Sequence, residues 1–337
     1  MSQRLIRLRR RIGESTLTPA QYALTAYIAL GALTLIVMSG AAVRLTGSGL
    51  GCPTWPRCYG KIYPPLTTHA VIEFSNRMIT VPISIAAIAA FVLAFRRRPY
   101  RRDLMRLSAL LPLGVLAQAI LGGLTVRGAL DYGWVMGHFA LSMLVLVAAV
   151  ALAWRATYEP GERPLSSDRT LTLCARAAVL LGALTIFAGT AATAAGPHAG
   201  GSPGQKINRL EFDGRGTMDF VIHRHGEIAL LFGLVALLVW WLARRSSSNP
   251  ADELVLRFST LTCVLIALQG LVGLYQYETH LPSELVWVHV SLASLTWLAV
   301  LWTACAAGRL QPRPVRSQEP TTPGKAPLSA YSEQIRA

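Results

Sequence analysis

Thr67-Thr68-His69-Ala70-Val71-Ile72-Glu73-Phe74-Ser75-Asn76-Arg77 opens an apolar run that continues from Met78 to Phe95. The histidine, the acid and the arginine therefore sit within a membrane-length segment rather than after one. At about 100° per residue, His69, Glu73, Asn76 and Arg77 fall within an arc of roughly 100° on one helix face. Ionisable side chains inside a membrane span are costly, usually face a bundle interior and mark a functional site by default. A plainer reading is an i,i+4 ion pair, Glu73 with Arg77, that only locks helices together. The segment alone does not choose between them.

Composition decides the class of protein around it. The chain has 337 residues, 53% hydrophobic and only 15% charged, with a mean hydropathy of +0.42. A soluble chain carries roughly a quarter charged residues. The formal charge of +15 does not point to nucleic acid, because most arginines lie in short runs between apolar stretches, as topology determinants do. The expectation is an all-α integral membrane protein surrounded by lipid.

Eight segments are long enough to cross ~30 Å of hydrocarbon. They run over 21–43, 68–95, 105–126, 133–154, 172–195, 219–243, 255–277 and 284–307. Arg4, Arg7, Arg9, Arg10 and Arg11 precede the first, whose apolar run is too long for a signal-peptide core and reads as an uncleaved anchor. Arg96, Arg97, Arg98, Arg101, Arg102 and Arg106 occupy the second connection, Arg244, Arg245 and Arg257 the sixth, and Arg309, Arg313 and Arg316 follow the last span. The positive-inside rule then puts both termini in the cytoplasm of a cell-membrane protein. The tail from Gln311 to Ala337, rich in Pro, Ser and Thr, reads as disordered.

On this topology the loop 44–66 is external, and it holds Cys52 and Cys58, with five residues between them. In an oxidising exterior such a pair favours a disulfide over free thiols. A redox-active pair remains open, and zinc is disfavoured because no second cysteine pair accompanies it. Cys174, Cys263 and Cys305 lie singly in apolar helices as core residues.

The chain repeats itself. Gln118 lies four before Gly122 and twenty before His138; Gln269 stands in the same relation to Gly273 and His289. Val71-Ile72-Glu73 is echoed by Val221-Ile222-His223, although matching Arg77 to Arg224 pairs Asn76 with His223 instead. A unit with an even number of spans repeats in parallel about an axis along the membrane normal. The expected organisation is a tail 1–20, a four-helix half 21–160, a second half 161–308 and a tail 309–337.

Four even-numbered segments bring histidines to one depth near the outer surface: His69, His138, His223 with His225, and His289. A lone histidine on an apolar helix is usually a core residue. Four helices presenting one each at the same level point instead to axial haem ligation across a bundle. Zinc or copper sites would more often recruit further Cys, Met or carboxylate ligands. Arg44, Arg77, Arg127 and Arg224 lie at a suitable depth to meet haem propionates, or to serve as interfacial anchors.

These residues resemble the haem A synthases of bacterial and mitochondrial inner membranes over nearly all eight segments. The resemblance rests on Thr46-Gly47-Ser48-Gly49-Leu50-Gly51-Cys52 with Cys58, on Ile72-Glu73-Phe74-Ser75-Asn76-Arg77, and on the spacing of His138, His223 and His289. It implies oxidation of the C8 methyl of haem O to a formyl group, giving haem A for cytochrome oxidase. The catalytic glutamate would match Glu73, beside a substrate haem in the first half. A haem b would lie between residues matching His223 and His289, and the functional cysteine pair would match Cys52 and Cys58. The resemblance also implies a haem O synthase as supplier and an electron acceptor or donor in the membrane; a homo-oligomer is compatible with it. Two positions depart from the family. Asn76 stands where many members have histidine, so the first half keeps His138, with His69 as a substitute ligand or with one axial ligand only. The third outer loop has Gly196-Pro197-His198-Ala199-Gly200 in place of a second cysteine pair and resembles the actinobacterial branch. Outside the resemblance, a dihaem quinol oxidoreductase or a parallel-repeat transporter would also use membrane histidines; a carrier, however, needs neither Glu73 nor the cysteine loop. Between His223 and His225, the family motif favours His223 as the ligand.

Overall fold

The computed structural model describes residues 16–161, 168–202, 204–212, 216–246 and 250–308. The N-terminal arginines and the tail from residue 309 lie outside them. Among the described residues the chain forms eight membrane-length helices and no strands: α1 (Pro19–Leu45), α2 (Thr68–Ala94), α3 (Arg102–Arg127), α4 (Tyr132–Thr157), α5 (Arg169–Ala195), α6 (Thr217–Arg245), α7 (Pro250–Glu278) and α8 (Ser283–Ala307). Each corresponds to one expected span. The helices extend a few residues beyond the apolar runs because polar residues start and stop them. Thr18 and Gln21 form a capping box ahead of Pro19. Asp131 accepts from the Gly133 N–H at the start of α4, and Asp168 accepts from Thr170 and Leu171 at the start of α5.

Within the first four helices each packs on its chain neighbour, and α1 closes the ring on α4; α5 to α8 do the same. The two rings meet through α1–α8, α4–α8 and α4–α5. The core fills with small residues where helices approach closely, such as Ala26, Ala29, Ala87, Ala90 and Ala149, as membrane bundles require when lipid offers no hydrophobic drive between helices. Outward faces carry exposed Leu24, Ile28, Leu35, Ile85, Ile88, Leu230 and Leu237, a surface suited to hydrocarbon rather than water. This is a multi-pass membrane protein.

The repeat extends further than the glutamines and histidines. Gly31-Ala32-Leu33-Thr34 in α1 recurs as Gly182-Ala183-Leu184-Thr185 in α5, 151 residues on. The same interval separates Gln118 from Gln269 and His138 from His289.

At the end of the bundle opposite the cysteine loop, fully buried Arg97 pairs with Glu159 and bonds the Pro99 carbonyl. Arg101 bonds the Arg155 and Tyr158 carbonyls, both at 2.8 Å. The second arginine run is thus partly a structural lock between the α2–α3 connection and the end of α4.

Candidate functional site

The opening of α2 is built around the Cys52–Cys58 disulfide, which the structure contains with its two Cα atoms 4.7 Å apart. Gly51 presses so closely on α2 that a Cβ there would meet the His69 carbonyl oxygen at 2.2 Å. That contact admits only glycine. Glu73 is buried, 5% exposed. One carboxylate oxygen accepts the Cys52 N–H at 2.5 Å, and the other pairs with Arg77. Arg77 also donates to the Cys52 carbonyl (2.9 Å) and the Thr54 carbonyl (2.8 Å). The ion pair expected from the i,i+4 spacing therefore exists, and it clamps the disulfide loop onto α2 rather than joining two helices. Beside it, Trp55 packs against Gly123 of α3, where a Cβ would come within 2.9 Å of the indole. The loop spans α2 and α3 as a cover. His69 is tied into the same cover: its Nδ1 lies 3.0 Å from the Ser48 hydroxyl. Among the described residues no hydrogen bond or ring contact joins His69 to His138.

The histidines fall into two arrangements. His225 and His289 face each other with ring centroids 6.2 Å apart, at 70° between planes. Bonds of about 2 Å from one metal ion to each of two imidazole nitrogens put the centroids roughly 6 Å apart. His225 Nδ1 donates to the Thr185 carbonyl at 3.0 Å, which leaves Nε2 with its lone pair. This donor set fits an axial pair on haem iron. His223, favoured by the family motif, is exposed, and its Nδ1 donates at 2.7 Å to the Asp219 carbonyl one turn back on its own helix. The structure brings His225 to His289 and does not bring His223 there. The reason is helical phase: two residues apart on one helix means about 200° of rotation.

Sequence contained the signal for His225. Asn76 and His225 each lie eight residues after the first residue of their helices, Thr68 and Thr217, so the helix starts pair Asn76 with His225. Gly189 makes room for that imidazole, since a Cβ there would lie 3.1 Å from Cε1. Counted from the shared Gly-Ala-Leu-Thr run, the first half has Met38 where the second has Gly189. The Asn76 side chain is held by the Ser39 hydroxyl at 2.7 Å. The first half thus has neither the histidine nor the glycine of the second, and His138 stands without an opposing imidazole among the described residues.

The four arginines separate clearly. The donors of Arg77 are directed at the loop and Glu73. Arg224 is exposed and pairs with Glu227; Arg127 is exposed at the end of α3. Arg44 is partly buried at the end of α1, its Nε is inaccessible to solvent, and that atom has no hydrogen-bond partner. Its stem packs on Gly200, in a crevice shared with Leu130, Tyr132 and Asn208. Three connections meet there, α1–α2, α3–α4 and α5–α6: Gly49 N–H donates to the Gly200 carbonyl (2.9 Å), and Asn208 donates to Asp131 (2.6 Å).

The chain is 33% identical over 121 residues to a protein of Bacillus pumilus named Heme A synthase, covering 35% of this chain and 39% of that one. It is 34% identical over 122 residues to a Lysinibacillus sphaericus protein of the same name, with the same coverage. These matches span well under half the length of those relatives. A Heme A synthase of Listeria monocytogenes is 26% identical over 288 residues, covering 82% of this chain and 92% of that protein. The family model for the cytochrome oxidase assembly protein COX15-CtaA matches residues 23–71 and 67–301. Those matches take in α2, the disulfide loop and every histidine discussed above, and the chain belongs to the COX15-CtaA cytochrome oxidase assembly protein family.

Proposed function

We propose that this protein is a haem A synthase, a membrane oxidoreductase that converts the C8 methyl of haem O to a formyl group. The observation that carries this reading is the unequal pair of histidine sites. One half faces two imidazoles at the separation an axial pair requires, suiting a resident haem b. The other offers His138 alone, and the same half carries a buried carboxylate under a disulfide-bridged cover, suiting a macrocycle that must enter and leave. In this reading His225 and His289 hold haem b, His138 holds the substrate iron as single axial ligand, and His69 belongs to the cover. A haem b between the second pair would carry electrons between the substrate and a membrane electron acceptor or donor.

Glu73 is the proposed catalytic residue. A carboxylate has about four lone-pair positions, and the loop amide and Arg77 direct hydrogen bonds at both oxygens without exhausting them. It can still accept a proton from the reacting methyl or stabilise positive charge developing nearby. Arg44, whose guanidinium meets no carboxylate of the chain among the described residues, is the proposed partner for a haem propionate; Arg127 is a secondary one.

The interval of 151 residues shared by the Gly-Ala-Leu-Thr run, the glutamines and the histidines of α4 and α8 supports reading 21–160 and 161–308 as two parallel four-helix copies. A disulfide at one end and arginine-rich connections at the other support a cell-membrane orientation with the disulfide outside and both termini in the cytoplasm. Haem O synthase is the natural supplier of substrate in this reading.

A pyridine haemochrome spectrum of the purified protein, with extracted haems separated by chromatography, tests the function. Haem b together with haem O or haem A is the expected result. Haem b alone at two per chain would mark an electron carrier and overturn the assignment.

A further inference from the structure

We infer that segment 59–66 of the disulfide loop is an interfacial anchor, which lies in the headgroup boundary of the leaflet at the cover end of the bundle and has phospholipid as its partner.

The loop satisfies its backbone inward and leaves its largest apolar side chains outward. Cys58 and Lys61 exchange backbone hydrogen bonds at 3.0 and 2.9 Å. They close a two-residue turn in which Tyr59 and Gly60 both take positive φ, 50° and 73°. Such a turn ordinarily places Asn, Asp or Gly first; here an aromatic ring takes that place, at the tip. The Gly60 N–H donates to the Thr54 hydroxyl at 3.1 Å. The bridge from Cys58 to Cys52 mounts the turn on the buried base of the cover. On this mount Tyr59 and Tyr63 are more than half exposed, Ile62 is 79% exposed and Leu66 97%. Large apolar side chains gathered in one short exposed segment mark a contact surface, whereas scattered single ones do not.

Continuity with the helices identifies lipid as what covers them. Leu66 stands two residues ahead of Thr68, the first residue of α2. That helix carries a strip of exposed Val71, Met78, Ile85 and Val92 along its length, so the segment runs directly into a hydrocarbon-facing surface. Exposed aromatic residues stand at the same end of other helices: Trp134 in α4, Phe220 in α6, Tyr275 and Tyr277 in α7, and Trp287 in α8. Such a belt forms where the apolar and wet layers of a membrane meet, and Tyr59 and Tyr63 extend it onto the loop. Charge agrees with phosphate headgroups. The stretch 46–67 contains Arg57 and Lys61 and no acidic residue. Lys61 Nζ lies over the Tyr63 ring, 5.7 Å from its centroid. An apolar stem alongside the ring with its ammonium turned to the headgroups is the usual arrangement of an interfacial lysine.

Leu66→Cys provides the test, in the full-length chain with Cys174, Cys263 and Cys305 replaced by alanine and the disulfide kept intact by labelling without reductant. The thiol carries the environment-sensitive fluorophore NBD, and the protein is reconstituted in vesicles of phosphatidylcholine and phosphatidylglycerol. Lys206→Cys, exposed on the α5–α6 connection, is labelled in the same way as the reference in water. The label at position 66 is expected to emit further to the blue. It should be quenched about twofold more strongly by lipid bearing a nitroxide high on its acyl chain, and about twofold less by aqueous iodide. Equal iodide quenching at the two positions, with no response to nitroxide lipid, would place the segment in water and overturn the anchor. Blue-shifted emission that ignores nitroxide lipid and is lost when the protein is diluted into more lipid would mean that a second copy or another protein covers the segment, and would overturn it equally.

Discussion

Glu73 and Arg77 carry two duties at once, and the consequences of changing either can be separated. The pair lies within α2 and is largely buried, and Arg77 also bonds loop carbonyls. Arg77→Ala would strip the loop of its clamp and leave a buried carboxylate without its cation, a loss of about 3–5 kcal/mol. Low yield and a loop open to protease are the expected signs. Glu73→Gln keeps the shape and one acceptor, so the protein should fold and retain haem b while haem A is replaced by haem O or a hydroxylated intermediate. Normal haem A from a folded Glu73→Gln protein would remove Glu73 from the chemistry. The same residue-level logic separates His223 from His225. His225→Ala should abolish the low-spin haem b spectrum, and His223→Ala, which removes an exposed ring bonded to its own helix, should leave it intact. The reverse pattern would restore the choice made from the motif. The motif and the geometry point to different residues for a physical reason: a motif match tolerates a two-residue slip, whereas helical phase does not. The depth of these histidines was legible in the chain, but the direction each one points depends on where its helix begins.

At the scale of elements, the eight spans could be read directly because apolar length is set by bilayer thickness and owes little to tertiary context. The cover over α2 could not. Nothing in the spacing of Cys52 and Cys58 says that the Cys52 amide lands on Glu73, or that Trp55 settles on Gly123. Both follow from the close approach of Gly51 to the first turn of α2. The cover predicts that Cys52 and Cys58, both fully buried, stay unlabelled by alkylating reagents until reductant is added, as mass spectrometry would show. Labelling of both thiols without reductant would contradict the bridge. The α1 and α5 elements make a second prediction. Because Met38 occupies the place of Gly189, Asn76→His alone should not create a second axial pair. Asn76→His combined with Met38→Gly should, with substrate haem bound, add a second low-spin signal comparable to that of haem b. Equal spectra for the single and double variants would mean that Met38 does not bar the ring.

For the whole molecule, the question is whether two four-helix rings behave as one folding unit. Their junction is small, made by α1 and α4 of one ring against α5 and α8 of the other. Trp297 of α8 stands at its centre, 4% exposed. Its indole N–H donates to the Met143 carbonyl of α4 at 3.1 Å, and its ring packs beside Gly182 of α5. Trp287 of α8 makes a second crossing, donating at 3.0 Å to the Met38 carbonyl of α1. The recurring glutamines and histidines were legible in the chain, but the junction was not, since it uses aromatic residues that the repeat does not share. Lipid supplies no hydrophobic drive for helix association, so the junction must hold by packing, and cutting it should be felt across the molecule. Trp297→Phe removes only the N–H and should cost about 1 kcal/mol. Trp297→Ala leaves a large cavity and should cost about 3–5 kcal/mol. Thermal unfolding in detergent, followed by near-UV circular dichroism and by the haem Soret band, distinguishes the two possible behaviours. A single transition that falls in steps from wild type to Phe to Ala, with both probes coinciding, is expected of one cooperative unit. Two separate transitions, with the Soret band unmoved by Trp297→Ala, would show that each ring is stable alone and that the junction serves only to align them.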